Sequence, residues 1–437
     1  MTAGPRSAQG LTILFIHQAA DLYGSDRMLL EAVTCLMHAG GVPIVLLPGP
    51  GPLLAVLEAR GIEVHSLPAA QLGKLHRGAL NARGLWRLAS GFARSASAID
   101  RCVAGRKIDG VCSNTLAVLG GAWWARQRRL PHLWCVHEII EHPRWVARLL
   151  SGLVRTLPGR VVCNSATTAR WLLRLQPQLQ ARLEVVANGV ALPSEATHSQ
   201  AEQAGSGASL RSAFRPSGAT LAIGLVGRIN RMKGHDLLLR AAELLHECNQ
   251  RNFSLVFVGD APPGQAHFEA QLRERVRRSP LAPRVHFAGF MPVTSFAYAA
   301  LDIVCMPSQE AESFGLVAVE AMAAGRAVVA SRVGALPEVL DQGRFGRLHA
   351  PGDPQALADA LQALIIDPAL REQLAQAGRQ HVQQRYALSA LNEGLLRQWK
   401  LAFGPTSAIA SMEGGAKGGA GADAKSDAAA GAKVQAT

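Results

Sequence analysis

Two glutamates, Glu312 and Glu320, stand eight positions apart in the stretch ESFGLVAVE, with a phenylalanine and a glycine between them. An acid at a helix mouth lies beside the free N–H groups of the first turn, a place that favours anions. A second acid two turns along can reach back to hydroxyls of a ligand held there. The preceding LDIVCMPS has the pattern of a strand and QEAE that of the loop at its carboxyl end. The spacing therefore predicts a helix from Phe314 to Ala324, N-capped by Ser313 and stopped by Gly325. Phe314 and Gly315 would let the backbone come close to the ligand. The plainer alternative is one acid complementing the helix dipole and one solvated glutamate.

Upstream, GLVGRINRMKG places Arg228 and Lys233 after Gly227 on the loop between a strand and the next helix. A guanidinium grips phosphate oxygens as a fork and an ammonium adds a point charge, so the pair suits a diphosphate; a solvated basic turn is the alternative. It is not a P-loop, because G-x-x-x-x-G-K-[ST] is not matched. In LWCVHEIIEHP, His137 ends a strand. The zinc motifs HExxH and HxxEH both fail there, at Glu141 and Glu138, and Pro143 would break a zinc-binding helix. No Asp-x-Asp occurs, and no G-x-G-x-x-G with a following acid, so neither metal-held diphosphate chemistry nor a dehydrogenase is expected.

Positioning these groups is the work of short apolar runs that alternate with helical patterns. LTILFIH, VPIVLLP, IEVHSLP, DGVCSN, HLWCVHE, RVVCNSA and LEVVANG fill the first half; TLAIGLVGRI, FSLVFVGD, RVHFAGF, DIVCMPS and RAVVAS fill the second. Strands apolar on both faces indicate parallel sheets covered on both sides, an α/β class. Residues 194–218, rich in Ser, Ala and Gly, read as a linker or frayed helix, and 405–437 as a disordered Ala/Gly tail. Two α/β units, 1–193 and 219–387, would then face each other across a cleft at the carboxyl ends of their strands.

The chain has 437 residues, 49% hydrophobic, and a formal net charge of +13, which points to an anionic partner. Seven scattered cysteines without a CxxC read as reduced core thiols of a cytosolic protein. No 18-residue apolar run is present, and LTILFI is too short for a signal-peptide core. In a helix over 83–103, Arg83, Arg87, Arg94 and Arg101 fall within about 40° of one another, opposite Leu85, Leu88, Phe92, Ile99 and Val103. That row is either an ordinary solvated face or a contact for anionic lipid. Nucleic acid is not expected, because the basic region lacks interleaved aromatics.

Taken together, Gly-Arg-x4-Lys-Gly and, about eighty residues on, Pro-Ser-x3-Glu-x-Phe-Gly-x4-Glu-Ala-Met-Ala-x-Gly resemble the GT-B retaining glycosyltransferases of the glycogen-synthase-like family 4. The resemblance covers nearly all of 221–386 and, more weakly, 11–193. It implies two Rossmann-like domains, with a helix over about 388–404 crossing back to the first. It implies that Arg228 and Lys233 hold a donor diphosphate, that Glu312 faces the transferred sugar and Glu320 the ribose, and that His137 contacts the donor sugar. Ser313, Phe314, Gly315 and Leu316 at the helix mouth and Gly227 would line the donor, and Met291, in Gly289-Phe290-Met291, would lie near the base. HQAADLYGSDR resembles the family's glycine-rich loop, which approaches the donor phosphates or the acceptor and would bring Gly24 and Ser25 to the donor. Gly24 remains, Ser25 replaces the second glycine and Asp26 stands near the usual Ala-Glu; a polar turn with Ser25 or Asp26 capping a helix is the alternative. The usual acid after Asn-Gly-Val is Ala191 here.

The expected reaction moves a hexosyl group from a UDP- or GDP-linked sugar to an acceptor hydroxyl with the anomeric configuration kept, without an essential metal or other cofactor. Family habit favours a cell-envelope glycan or lipid-linked acceptor, at the inner face of the plasma membrane. A catalytically silent sugar-nucleotide or glycan binder on the same scaffold is the rival, and a phosphorylase or epimerase a second.

Overall fold

The apolar runs form parallel strands in a computed structural model that describes residues 8–69, 71–72, 82–192, 206–215, 221–250, 252–262, 264–291 and 294–404. In the first half they are β1 (Thr12–Ile16), β2 (Val42–Leu47), β3 (Glu63–Ser66), β4 (Gly110–Ser113), β5 (His132–Val136), β6 (Arg160–Cys163) and β7 (Leu183–Val185). They make one seven-stranded sheet in the order β3-β2-β1-β4-β5-β6-β7. In the second half β8 (Leu221–Val226), β9 (Phe253–Val258), β10 (Val285–Gly289), β11 (Ile303–Met306), β12 (Ala327–Ser331) and β13 (Arg347–His349) make a six-stranded sheet ordered β10-β9-β8-β11-β12-β13. Every ladder is parallel. β4, β5, β8, β9, β11 and β12 are buried along their whole length, which is why they read as continuous apolar runs without alternation.

Strand order reverses between β1 and β4 in one sheet and between β8 and β11 in the other. At such a switch point the connections leave in opposite directions and open a crevice at the carboxyl ends of the strands. His17 follows β1, Asn114 follows β4 and His137 follows β5; Gly227 follows β8 and Pro307 follows β11. The chemistry-bearing residues thus stand at the two crevices.

The last helix, Leu388–Phe403, joins the first domain's core through Leu391, Leu395, Trp399 and Phe403. It is led there at Val190, whose N–H donates to Tyr386 O (2.9 Å) and whose carbonyl accepts from Leu388 N (3.0 Å). Within the expected linker, Ser206–Ala213 is a helix and Phe214 is buried in the second domain's core. Residues 193–205 and 216–220, and the tail from 405, lie outside the described residues. The helix Ala82–Val103 is present, with Ile99 and Val103 buried and Arg94 and Arg101 exposed. The side chains of Arg83, Arg87, Leu85, Leu88 and Phe92 are not among those described.

Candidate active site

The loop after β8 is built to hold Lys233 in place. The Asn230 side chain accepts from Lys233 N at 3.1 Å, capping a short turn over Arg231–Lys233. Gly234 then takes φ 76°, and a Cβ there would stand 2.0 Å from Pro307 O, so only glycine lets this loop nest against the one after β11. The Lys233 stem lies over Gly227. Its ammonium meets Glu312 Oε1 at 2.5 Å, and Ser308 Oγ donates to the same oxygen at 2.8 Å. Burial pushes the Glu312 carboxyl up, but Lys233, the Ser308 hydroxyl and the charge of Arg228 outweigh it and hold the group below its ordinary value. Arg228 lies 4.4 Å from the centre of the Tyr23 ring, and among the described residues no carboxylate pairs with it.

The helix carrying Glu320 begins later than its sequence predicts. It spans Leu316–Ala323, and its N-cap is Gly315 at φ 95°, not Ser313. A Cβ on Gly315 would stand 2.6 Å from Leu336 Cδ2. This left-handed residue turns Phe314 inward, where it is 3% exposed and packs edge-on against Tyr386 at 5.6 Å. The Phe314 side chain is thus a core group, and only its backbone, with that of Gly315, stands at the helix mouth. Ser313, freed from capping, reaches the other domain, donating to His137 O at 2.6 Å. Its own carbonyl accepts from Ser165 Oγ (2.6 Å) and Thr168 Oγ1 (3.0 Å).

Glu320 is buried at the seam between the domains. Tyr298 OH donates to Oε2 at 2.7 Å, and Arg27 from the first domain meets Oε1 at 2.5 Å. Neither Arg27 nor Tyr298 is legible as a site residue from sequence, although Arg27 follows Gly24, Ser25 and Asp26 directly. Gly24 faces Leu316 Cδ2 (3.8 Å from where its Cβ would be), so that loop does meet the helix mouth. Leu316 packs against both domains' cores, and Met291 packs against the second. Tyr23 meets Phe290 edge-on at 6.3 Å. Ser25 is half-buried in the first turn of the helix Gly24–His38, and its side chain does not cap that helix. A carboxylate from Glu338 closes the seam elsewhere, accepting from Ala166 N (2.9 Å), Thr167 N (2.8 Å) and Thr167 Oγ1 (2.8 Å) at the mouth of the helix Ala166–Leu175.

His137, half-buried after β5, places Nε2 2.9 Å from Asn114 Oδ1, an amide oxygen that can only accept. Burial pushes its imidazole down to about 4, so it is neutral at physiological pH. The seam thus gathers Arg228, Lys233, Glu312 and Glu320 with Tyr23, Arg27 and Ser313. A separate cavity of 550 Å³, lined by Ile229, Arg231, His235, Phe268 and Gln309 among others, includes none of the four. Among the described residues no group of three His, Cys, Asp or Glu could hold a metal ion, and no helix is long and apolar enough to cross a membrane.

Two Rossmann-like domains meeting at the carboxyl ends of parallel sheets define the GT-B class. Solved structures share that architecture: a glycosyltransferase from Rickettsia africae (TM-score 0.74, 20% identity, 90% of this chain and 98% of that one) and the Anabaena protein HepE in complex with UDP and glucose (TM-score 0.73, 23% identity, 89% and 99%). The family models described as Glycosyltransferase Family 4 and Glycosyl transferases group 1 match residues 23–192 and 220–367. The chain belongs to this glycosyltransferase family. Among curated relatives, a D-inositol 3-phosphate glycosyltransferase of Kribbella flavida is 36% identical over 248 residues, 55% of this chain and 56% of the relative. The chain spans about half the length, or less, of the curated relatives it matches.

Proposed function

We propose that the protein transfers a hexosyl group from a nucleoside-diphosphate sugar to an acceptor hydroxyl with the anomeric configuration kept. One observation carries this reading: Arg228, with no carboxylate paired to it among the described residues, stands beside the Lys233–Glu312 pair at the switch point of the second sheet. As the bond from the anomeric carbon to the phosphate oxygen breaks, negative charge grows on the diphosphate. Arg228 and Lys233 meet that charge, and preorganised donors of this kind are worth about 2.7–4 kcal/mol each in the barrier. Glu312 and His137 orient the sugar as it becomes cationic, and Glu320 takes the ribose hydroxyls beside Arg27 and Tyr298. The leaving phosphate takes the acceptor's proton, so the two cations replace a metal and no separate base is needed.

The complex of the Anabaena protein with UDP and glucose supports a UDP-linked donor, with GDP as the alternative. The acceptor we favour is a cell-envelope glycan or lipid-linked saccharide, reached from the cytoplasmic face; an inositol phosphate, named for the curated relatives, is the competing acceptor. The exposed Arg94 and Arg101 support contact with anionic lipid along the helix Ala82–Val103. Calorimetric titration with UDP and GDP in EDTA tests the core of the reading. The native protein should bind one of them without metal, and folded Arg228→Ala should bind it at least tenfold more weakly. Equal affinity in the two proteins would remove Arg228 from the donor site.

A further inference from the structure

Asp26 is a buried acid in the first turn of the helix Gly24–His38, and the sequence there only hints at its use. Only 2% of it is exposed, and its two oxygens do different things. Oδ2 accepts from Tyr23 N at 2.9 Å, closing the first turn of the helix Gly24–His38. Oδ1 lies 2.6 Å from Nε2 of His17, which is fully buried. The far side of the same ring, Nδ1, lies 3.1 Å from Asn114 Nδ2, and Asn114 Oδ1 lies 2.9 Å from His137 Nε2. Three strands deliver this chain of contacts: His17 follows β1, Asn114 follows β4 and His137 follows β5.

The direction of each bond follows from the groups. An ionised carboxylate only accepts, so His17 Nε2 carries a hydrogen. The Asn114 amide nitrogen only donates, so His17 Nδ1 is the lone pair that receives it. That leaves Asn114 Oδ1 to accept, and the hydrogen between it and His137 must sit on His137 Nε2. A neutral imidazole has one N–H, and burial keeps His137 neutral. Its Nδ1 is then a bare lone pair, and this atom is buried without a hydrogen-bond partner. A buried polar atom without a partner calls for a physical account.

We infer that Asp26, His17 and Asn114 are positioning residues that fix the tautomer of His137, so that its Nδ1 accepts a hydrogen bond from a hydroxyl of the bound substrate. The substrate's identity as a sugar rests on the function proposed above. The arrangement suits that chemistry, because a neutral acceptor orients a hydroxyl without setting a positive charge beside a sugar that is itself becoming cationic. A carboxylate that holds a histidine in one tautomer is a known way of setting the ring's sense, and losing the correct tautomer harms turnover more than ground-state binding. Here the control runs through an intervening histidine and amide.

Long-range ¹⁵N–¹H correlation spectra of histidine-labelled protein, with His137 assigned by its loss in His137→Gln, read the tautomer directly. The native protein should show protonated Nε2 and bare Nδ1. Asn114→Leu should mix the tautomers and lower kcat by about tenfold to a hundredfold with donor KM within about twofold. Asn114→Asp, which still accepts from Nε2–H, should keep the tautomer. A native His137 protonated on Nδ1, or Asn114→Leu and Asn114→Asp with the same His137 spectrum, would overturn the inference. The spectra need no donor, so a protein with the expected tautomer but no turnover would count against the proposed reaction and not against this assignment.

Discussion

Lys233 and Glu312 illustrate how much a single contact decides. Glu312 is 12% exposed, and burial alone would favour its neutral form; Lys233 at 2.5 Å keeps it charged. Removing one partner of such a pair leaves the other buried without compensation, a cost of about 3–5 kcal/mol. In the native protein the carboxyl lies below its ordinary value, so its contribution to stability is complete above that value and fades as pH falls through the lowered one. In Lys233→Met the sign reverses: burial dominates, the carboxyl rises, and the penalty is greatest near pH 7.5. Urea unfolding should therefore show a stability gap between native and Lys233→Met that narrows from pH 7.5 to pH 4.5. A gap that stays constant would show that Lys233 does not hold the charge of Glu312.

The same residues show what a sequence can reveal. Arg228, Lys233, Glu312 and Glu320 are legible because their types and spacing recur around a strand–loop–helix unit, and the loops after β8 and β11 do bring Lys233 and Glu312 together. Their neighbours are not legible. His17 and Asn114 are 97 positions apart, and only the pairing of β1 with β4 makes them neighbours. Arg27 and Tyr298 reach Glu320 from two different domains. The place of the Phe314 side chain is not legible either: it follows from the left-handed Gly315, which turns the ring into the core.

At the scale of elements, the alternation of strand and helix was visible because parallel strands buried on both faces have no competing pattern. β13 carries little such pattern, being three residues long with an exposed arginine first. A helix start depends on one residue's φ, which is why the helix expected from Phe314 begins at Leu316. Another such start, at Ala166, is completed from across the seam: Glu338 accepts two of its first N–H groups and the Thr167 hydroxyl. Hydrogen bonds to a charged group are worth about 1.5–3 kcal/mol, and an acid at a helix N-terminus gains from the dipole as well. Glu338→Ala should raise amide hydrogen exchange at Ala166 and Thr167 at least tenfold while leaving the strands of both sheets protected. Unchanged exchange at those two amides would mean that the seam is open in solution and that Glu338 does not bridge it.

Over the whole molecule, the order of the chain and the order of the cores differ. Residues 388–403 come last in the described chain, after the complete second sheet, yet they complete the hydrophobic core of the first domain. Trp399 is 1% exposed and meets Phe15 of β1 edge-on at 6.1 Å. Phe403 lies so close to β4 that a Cβ on Gly110 would stand 2.3 Å from its ring. Truncating a buried tryptophan costs about 3–5 kcal/mol through lost burial and the cavity left behind. That cost should fall on the domain the residue packs into. Trp399→Ala should therefore speed hydrogen exchange in β1 and β4 and leave β8 and β11 unchanged, and the variant should still bind the nucleoside diphosphate through Arg228 and Lys233. Were β8 and β11 to lose protection equally, the two domains would unfold as one cooperative unit, and the helix would be a strap for the whole fold instead of a piece of the first core.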